Sequence, residues 1–232
     1  MTRIIAGVAG GRRLVVPPGR GTRPTSDRAR EGIFLTLDSL YGLAGARVVD
    51  LYAGSGAVGL EALSRGAAHA LLVESDPKAV STIKANVRSL GLGGAQVVAD
   101  RVERLLARGP GGAGLDRGPG GAGLDRGPCG AGHDRGGRGE GERSGARDVP
   151  SGAYGGPYDI VFADPPYAVS GEEVVRVLES LRDNGWLVEG GLVAFERETR
   201  GKALMWPEGY VEERVRRYGE ASVWYGRAAW NP

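Results

Sequence analysis

The sequence predicts an α/β fold: a mostly parallel seven-stranded sheet that finishes in an antiparallel hairpin and is preceded by a small β-hairpin and a helix. Two observations carry this. From residue 46 onward, short apolar runs alternate with stretches of helical periodicity, as in a parallel sheet covered on both faces. A glycine-rich turn, Gly54-Ser55-Gly56-Ala57-Val58-Gly59, follows the first of these runs, where an α/β unit passes from strand to helix.

The elements follow in order. Residues 4–8 and 14–16 are apolar around Gly10-Gly11, a hairpin signal. After a Pro/Gly loop, the oxygens of Thr25, Ser26 and Asp27 can cap a helix in which Ile33, Phe34, Leu37 and Leu40 recur at helical spacing. Parallel strands are expected at 48–51, 70–73, 97–99, 160–163 and 192–195, with helices at 59–65, 77–90, 101–107 and 172–182. Runs at 211–218 and 222–225 flank Gly219-Glu220 and close the sheet as a hairpin. This divides the chain into an N-terminal extension over 1–44 and a main domain over 45–232.

Residues 108–156 do not fit the sheet. Nineteen of them are glycine, and a nine-residue unit, Gly-Pro-Gly-Gly-Ala-Gly-Leu-Asp-Arg at 109–117, recurs at 118–126 and, as a variant, at 127–135. Leu115 breaks the glycine-every-third-residue register of collagen, and so little apolar surface cannot stack into a solenoid. A disordered insertion is expected. Cys129 and His133 lie inside it; with one cysteine and two histidines in 232 residues, neither a disulfide nor a structural zinc is expected.

A hydrophobic content of 41% suffices for one domain with a real core. No run of eighteen apolar residues and no secretory leader is recognisable, so no membrane association and a cytoplasmic protein are expected; the chain is also expected to be a monomer. The net charge of +2 is unevenly distributed: residues 1–30 hold Arg3, Arg12, Arg13, Arg20, Arg23, Arg28 and Arg30 against the single acid Asp27. Such an arm suits phosphate, although the chain prefers arginine throughout, with 27 against three lysines.

Gly54, Gly56 and Gly59 match the dinucleotide pattern, so an NAD-dependent oxidoreductase competes at first. Asp50, at the end of the preceding strand, weighs against it. A pyrophosphate seated on this turn would be repelled by the carboxylate, whereas the ammonium of S-adenosylmethionine would be attracted. Asp50 can also brace the turn by hydrogen bonding. Glu74 ends the second strand, where an acid can accept ribose hydroxyls. Asp100 follows the third, within reach of an adenine amine or as a helix cap.

Tyr158 to Ala163 runs as a strand into Asp164-Pro165-Pro166-Tyr167. The prolines cannot extend a ladder and restrict their neighbours, which holds the Asp164 carboxylate and the Pro165 carbonyl in a stiff array. Two acceptors gripping the hydrogens of an exocyclic base amine would favour a pyramidal nitrogen aimed at a methyl donor, and Tyr167 offers a ring for stacking. The tetrapeptide alone leaves open guanine or adenine N6, RNA or DNA. A non-catalytic RNA-binding assembly factor would account for the arginine arm but not for the acids.

Arg3-Ile4-Ile5-Ala6-Gly7, Arg23-Pro24-Thr25-Ser26-Asp27-Arg28-Ala29-Arg30-Glu31, the glycine turn and Asp164-Pro165-Pro166-Tyr167 together resemble the RsmD family of bacterial 16S rRNA guanine-N2 methyltransferases. The resemblance implies a Rossmann-like methyltransferase fold, S-adenosylmethionine as donor, and transfer to the 2-amino group of a guanine in small-subunit rRNA. It further implies that Arg23, Thr25, Asp27 and Arg30 lie near the substrate entrance, and that Arg3, Arg12 and Arg13 of the hairpin face rRNA. The insertion at 108–156 departs from the family, which has a short connection there.

Overall fold

The computed structural model describes residues 2–17, 26–111, 154–166 and 168–230. Arg20, Arg23, Thr25, Tyr167, Cys129, His133 and the body of the glycine-rich insertion lie outside the described residues. No helix among the described residues is long and apolar enough to cross a membrane.

A seven-stranded sheet carries the fold. It contains β3 (Arg47–Leu51), β4 (His69–Glu74), β5 (Ala95–Ala99), β6 (Tyr158–Ala163), β7 (Leu187–Glu198), β8 (Tyr210–Tyr218) and β9 (Ala221–Ala228). Their order is β5-β4-β3-β6-β7-β9-β8. The pairs from β5 to β7 are parallel, while β9 is antiparallel to both β7 and β8. The chain winds outward from β3 to β5, then returns to place β6 on the other side of β3. That reversal opens a crevice beyond the carboxyl ends of β3 and β6.

The helices cover both faces. On one, α1 (Asp27–Leu40), α2 (Ala57–Ser64) and α3 (Pro77–Leu90) supply Ile33, Phe34, Leu37, Leu60 and Ile83 to a core with Val48, Leu72, Ile160, Phe162, Leu192 and Ala194. On the other, α4 (Val102–Leu106) and α5 (Gly171–Asp183) pack Leu105, Val177 and Leu181 against Val49, Val73, Val161 and Phe195. Successive strand residues thus serve opposite cores. Capping follows the sequence chemistry. The Ser26 hydroxyl accepts the Ala29 amide at 3.1 Å, Asp76 caps α3 ahead of Pro77, and Ser170 with Glu173 forms a reciprocal capping box on α5.

The N-terminal hairpin is shorter than its apolar pattern predicts. Only β1 (Thr2–Arg3) and β2 (Arg13–Leu14) pair, Thr2 with Leu14 and Arg3 with Arg13. Residues 5–9 instead clasp the end of α2. The amides of Ile5 and Ala6 donate to the Glu61 carboxylate at 2.7 and 3.0 Å, Val8 N donates to the Ser64 carbonyl at 2.8 Å, and Ala9 N donates to the Ser64 hydroxyl at 2.9 Å. Amides committed to a buried side chain are not available to a ladder. The approach is close enough that a Cβ on Gly7, which has φ +81°, would fall 1.8 Å from the Ser64 carbonyl oxygen. Ile4, Ala9 and Leu14 consequently share the core of α1 and the sheet.

The described ends of the insertion meet. Tyr154 N donates to the Pro110 carbonyl at 3.2 Å, and the Tyr154 ring stacks on Trp186, whose indole N–H is held by the Leu106 carbonyl at 2.9 Å. These residues precede β6 and β7, at the edge of the sheet where those strands begin.

Candidate active site

A cleft of about 670 Å³ opens at the opposite edge, beyond the carboxyl ends of β3, β4, β6 and β7. It falls in the size range of small-molecule and cofactor sites. The turn between β3 and α2 forms one wall. Gly56 caps α2 at φ +78°, and a Cβ there would meet Leu72 Cδ2 at 2.9 Å, so glycine satisfies both the backbone and the packing. Tyr52, also on the cleft wall, takes a left-handed φ of 63° in the same turn, and its hydroxyl donates to Glu103 of α4 at 3.2 Å.

Asp50 is 2% exposed and accepts the Gly59 amide at 2.9 Å, so it braces the turn while still lining the cleft. Burial pushes its carboxyl up to about 7 against the pull of the Gly59 N–H, and the charges of Asp164 and Glu74 push the same way. An acid in this condition is stabilised by a cation. Glu74 holds the turn from the next strand: one oxygen accepts Gly54 N at 2.9 Å, the other Ser75 N at 2.7 Å and Asp76 N at 2.9 Å. Three amides occupy most of what a carboxylate can accept, so a two-hydroxyl ribose grip requires Glu74 to release one of them.

Asp164 follows β6, with its amide on the Leu51 carbonyl at 3.4 Å, and burial pushes its carboxyl up to about 6. Phe162, Pro165 and Pro166 line the cleft beside it. Tyr167 lies outside the described residues. Among described residues, the cleft is lined by Asp50, Glu74, Asp76, Asp164, Glu196 and Glu220 against one cation, Arg30. This balance repels a pyrophosphate and attracts a cationic ligand. It fits the ammonium and sulfonium of S-adenosylmethionine better than a nicotinamide dinucleotide.

Asp100 is not brought to the cleft. Strand alternation explains why: Val97 packs on the α1–α3 face and Val98 on the other, so Asp100 falls with Val98 on the α4 side. Arg104 and Arg108 bind it at 2.6 and 2.8 Å, and the Arg101 amide does so at 2.7 Å. Burial alone would raise its carboxyl, but these bonds and charges outweigh it and hold it below the ordinary range. Nor does its side chain cap α4.

The arginines separate by role. Arg12 reaches the carbonyls of Leu90, at 2.7 Å, and Ser89, closing the end of α3. Arg30 is 1% exposed and binds Asp27 at 3.0 Å and the Arg3 carbonyl. Burial lowers its pKa, against the nearby charges of Glu61 and Asp27. It therefore lines the cleft as part of a buried network, not as a solvent-facing phosphate clamp. Arg3 pairs with Asp27 at 3.0 Å but stays largely exposed, and Arg13 is exposed. Three residues of consequence escape a motif-based reading: Glu61, Tyr52 and Glu196. The signal for Glu61 is an acid within the apolar helix Ala57-Val58-Gly59-Leu60-Glu61-Ala62-Leu63.

The family model described as conserved hypothetical protein 95 matches residues 2–116 and 142–227. Ribosomal RNA small subunit methyltransferase D of Escherichia coli K12 is 32% identical over 221 residues, covering 95% of this chain and 86% of that protein. Its Haemophilus influenzae counterpart is 28% identical, covering 90% and 84%. Among solved structures, E. coli yhhF, described as a candidate methyltransferase, superposes with a TM-score of 0.70 at 28% identity, covering 98% of this chain and 97% of that one. A hypothetical protein of Thermus thermophilus superposes with a TM-score of 0.66 at 31% identity, covering 97% and 98%.

Proposed function

Because the chain belongs to the RsmD family of ribosomal RNA methyltransferases, we propose that it methylates the exocyclic N2 amine of a guanine in 16S rRNA of the small ribosomal subunit. The observation that carries this is the juxtaposition, in one cleft, of the stiff Asp164-Pro165-Pro166 turn and the buried, cation-seeking Asp50. S-adenosylmethionine supplies an electrophilic methyl group on a sulfonium.

Asp50, the amides of the Gly54–Gly56 turn and Glu74 form the donor side of the cleft. Asp50 answers the ammonium, and Glu74 faces the ribose at the cost of one of its amide bonds. Asp164 and the Pro165 carbonyl accept the two hydrogens of the base amine, which turns the nitrogen lone pair toward the methyl carbon. As the N–C bond forms and the S–C bond breaks, positive charge develops on the amine, and the adjacent Asp164 carboxylate stabilises it in a partly dry site. S-Adenosylhomocysteine is the leaving group, and the methylated amine passes its surplus proton to the Asp164 carboxylate and on to solvent. Tyr167 follows this turn in sequence and is assigned to stacking on the base. Arg3, Arg13 and Arg23 are assigned to rRNA phosphates; Arg12 and Arg30 support that surface by holding α3 and Asp27.

The test is to offer labelled S-adenosylmethionine with naked rRNA, small subunits and DNA duplexes, then identify the modified nucleoside by digestion and mass spectrometry. N2-methylguanosine from small-subunit rRNA is the expected product. N6-methyladenosine, or label in DNA, would replace this reading.

A further inference from the structure

The Asp-Pro-Pro turn selects an amine without selecting a base, yet a second buried acid stands beside it. β6 and β7 are parallel, and Ala163 lies opposite Phe195 in their final paired register, so the next residues along the two strands are Asp164 and Glu196. Ile160 and Phe162 on β6, and Leu192 and Ala194 on β7, serve the same core. Alternation therefore projects Asp164 and Glu196 from the same face of the sheet. Glu196 is 6% exposed. It lines the main cleft with Asp164, Pro165 and Pro166, and also a hollow of about 40 Å³ that shares both prolines. It lies one strand further from the glycine turn than Asp164 does, on the side opposite β3.

We infer that Glu196 reads the edge of the target base next to the reacting amine and makes the site select guanine over adenine. Guanine presents N1–H immediately beside its 2-amino group, and a carboxylate accepts that hydrogen while Asp164 and the Pro165 carbonyl hold the amine. Adenine presents a lone pair at N1 beside its 6-amino group, and the same carboxylate repels it. Sites built to hydrogen-bond a substrate group reject analogues lacking that group, because a buried polar atom is left opposed. This inference rests on the base-amine reading of the cleft.

The experiment uses the full chain and small subunits reconstituted with 16S rRNA carrying either guanine or 2-aminopurine at the position that the wild type modifies. 2-Aminopurine keeps the 2-amino group but has a lone pair at N1. Wild type should prefer guanine by about 100-fold. Glu196→Gln can donate to that lone pair through its amide, and should lower the ratio at least about tenfold. Because both rates come from one preparation, the ratio is independent of how much of the variant folds. An unchanged ratio in Glu196→Gln, with wild type still producing N2-methylguanosine, overturns the inference alone. Failure of wild type to produce N2-methylguanosine overturns the reading on which it rests.

Discussion

The Glu61 carboxylate accepts the Ile5 amide hydrogen at 2.7 Å across more than fifty residues of sequence, and it takes Ala6 N with its other oxygen. Glu61 is itself 0% exposed, with Arg65 at 2.7 Å. The start of the chain is thereby fastened to the helix that leaves the glycine turn. Glu61→Gln keeps the volume but offers one acceptor oxygen in place of two, which leaves an amide opposed. A loss of about 2–4 kcal/mol is expected, which lowers Tm by roughly 5–15 °C for a domain of this size. Thermal unfolding checks it, and a shift under about 2 °C would show that the clasp is dispensable.

Gly7 and Gly11 have nearly the same φ, +81° and +82°, but different surroundings: a Cβ on Gly7 meets the Ser64 carbonyl, and one on Gly11 meets nothing within 4 Å. Gly11→Ala should cost about 1–2 kcal/mol, the strain of a left-handed alanine. Gly7→Ala adds a backbone collision and should cost distinctly more. Denaturant midpoints of the two variants separate strain from contact; equal midpoints would mean the clasp yields without cost.

Asp164→Ala should reduce methyl transfer by at least about 10²-fold, the scale on which one electrostatic partner of a transition state matters. Donor affinity should be nearly unchanged, because Asp50 and the turn are untouched. Single-turnover rates and calorimetric titration with S-adenosylmethionine provide the two readings, and near-wild-type transfer would remove Asp164 from the chemistry.

The raised carboxyls set a pH dependence of definite sign. Asp50, at about 7, and Asp164, at about 6, bind protons more readily folded than unfolded. Their contribution to stability is therefore full below the ordinary carboxylate range and is lost as pH rises through 6 to 7. Asp50→Asn keeps an oxygen for the Gly59 amide and removes the ionisation. Without ligand it should match wild type near about pH 4 and exceed it near about pH 8, by up to roughly 4 kcal/mol. S-Adenosylmethionine affinity should move oppositely in wild type, improving from about pH 5.5 to 7 with proton release, below the range in which the α-ammonium itself deprotonates, and should be weak and much flatter over that window in Asp50→Asn. A wild-type affinity that does not change with pH would contradict the pairing of Asp50 with the ammonium.

Arg12 and Arg13 are adjacent in sequence but should fail differently. Arg13→Ala should weaken rRNA binding and reduce the magnitude of its log–log salt slope by about 1. Arg12→Ala should chiefly destabilise the fold, by about 1 kcal/mol, through the carbonyls of Leu90 and Ser89. Filter binding at several salt concentrations, alongside melting curves, distinguishes the two. Identical slopes for Arg13→Ala and wild type would remove it from the phosphate contact.

The strands of the parallel sheet were legible because their apolar runs are short and bounded; β3, β4 and β6 fall within two residues of expectation at either end, and α3 matches it. The strand-end acids were legible as types, but their destinations were not. Asp50 and Glu74 line the cleft, while Asp100 turns away because it sits one residue past Ala99 on the other side of the alternation. The apolar pattern at 4–8 was misleading: of these residues only Ile4 is buried and Val8 is largely exposed, while the amides of Ile5 and Ala6 go to Glu61, and periodicity carries no sign of a carboxylate 56 residues away. Glu196 was hidden inside a strand that runs from Leu187 to Glu198, beyond the apolar stretch that marks it.

The alternation of β3, β4, β6 and β7 also sets how this protein can vary. Asp50, Glu74, Asp164 and Glu196 share one face because each lies an even number of residues from an apolar neighbour in the same core. Inserting or deleting a single residue within any of these strands would turn its acid toward α4 and α5, while leaving composition and hydrophobicity almost untouched. Tolerable length changes are therefore confined to positions such as the Pro110–Tyr154 junction, at the far edge of the sheet and roughly 20 Å away along β6. A lineage can lengthen its chain there without disturbing the order in which the carboxylates face the cleft.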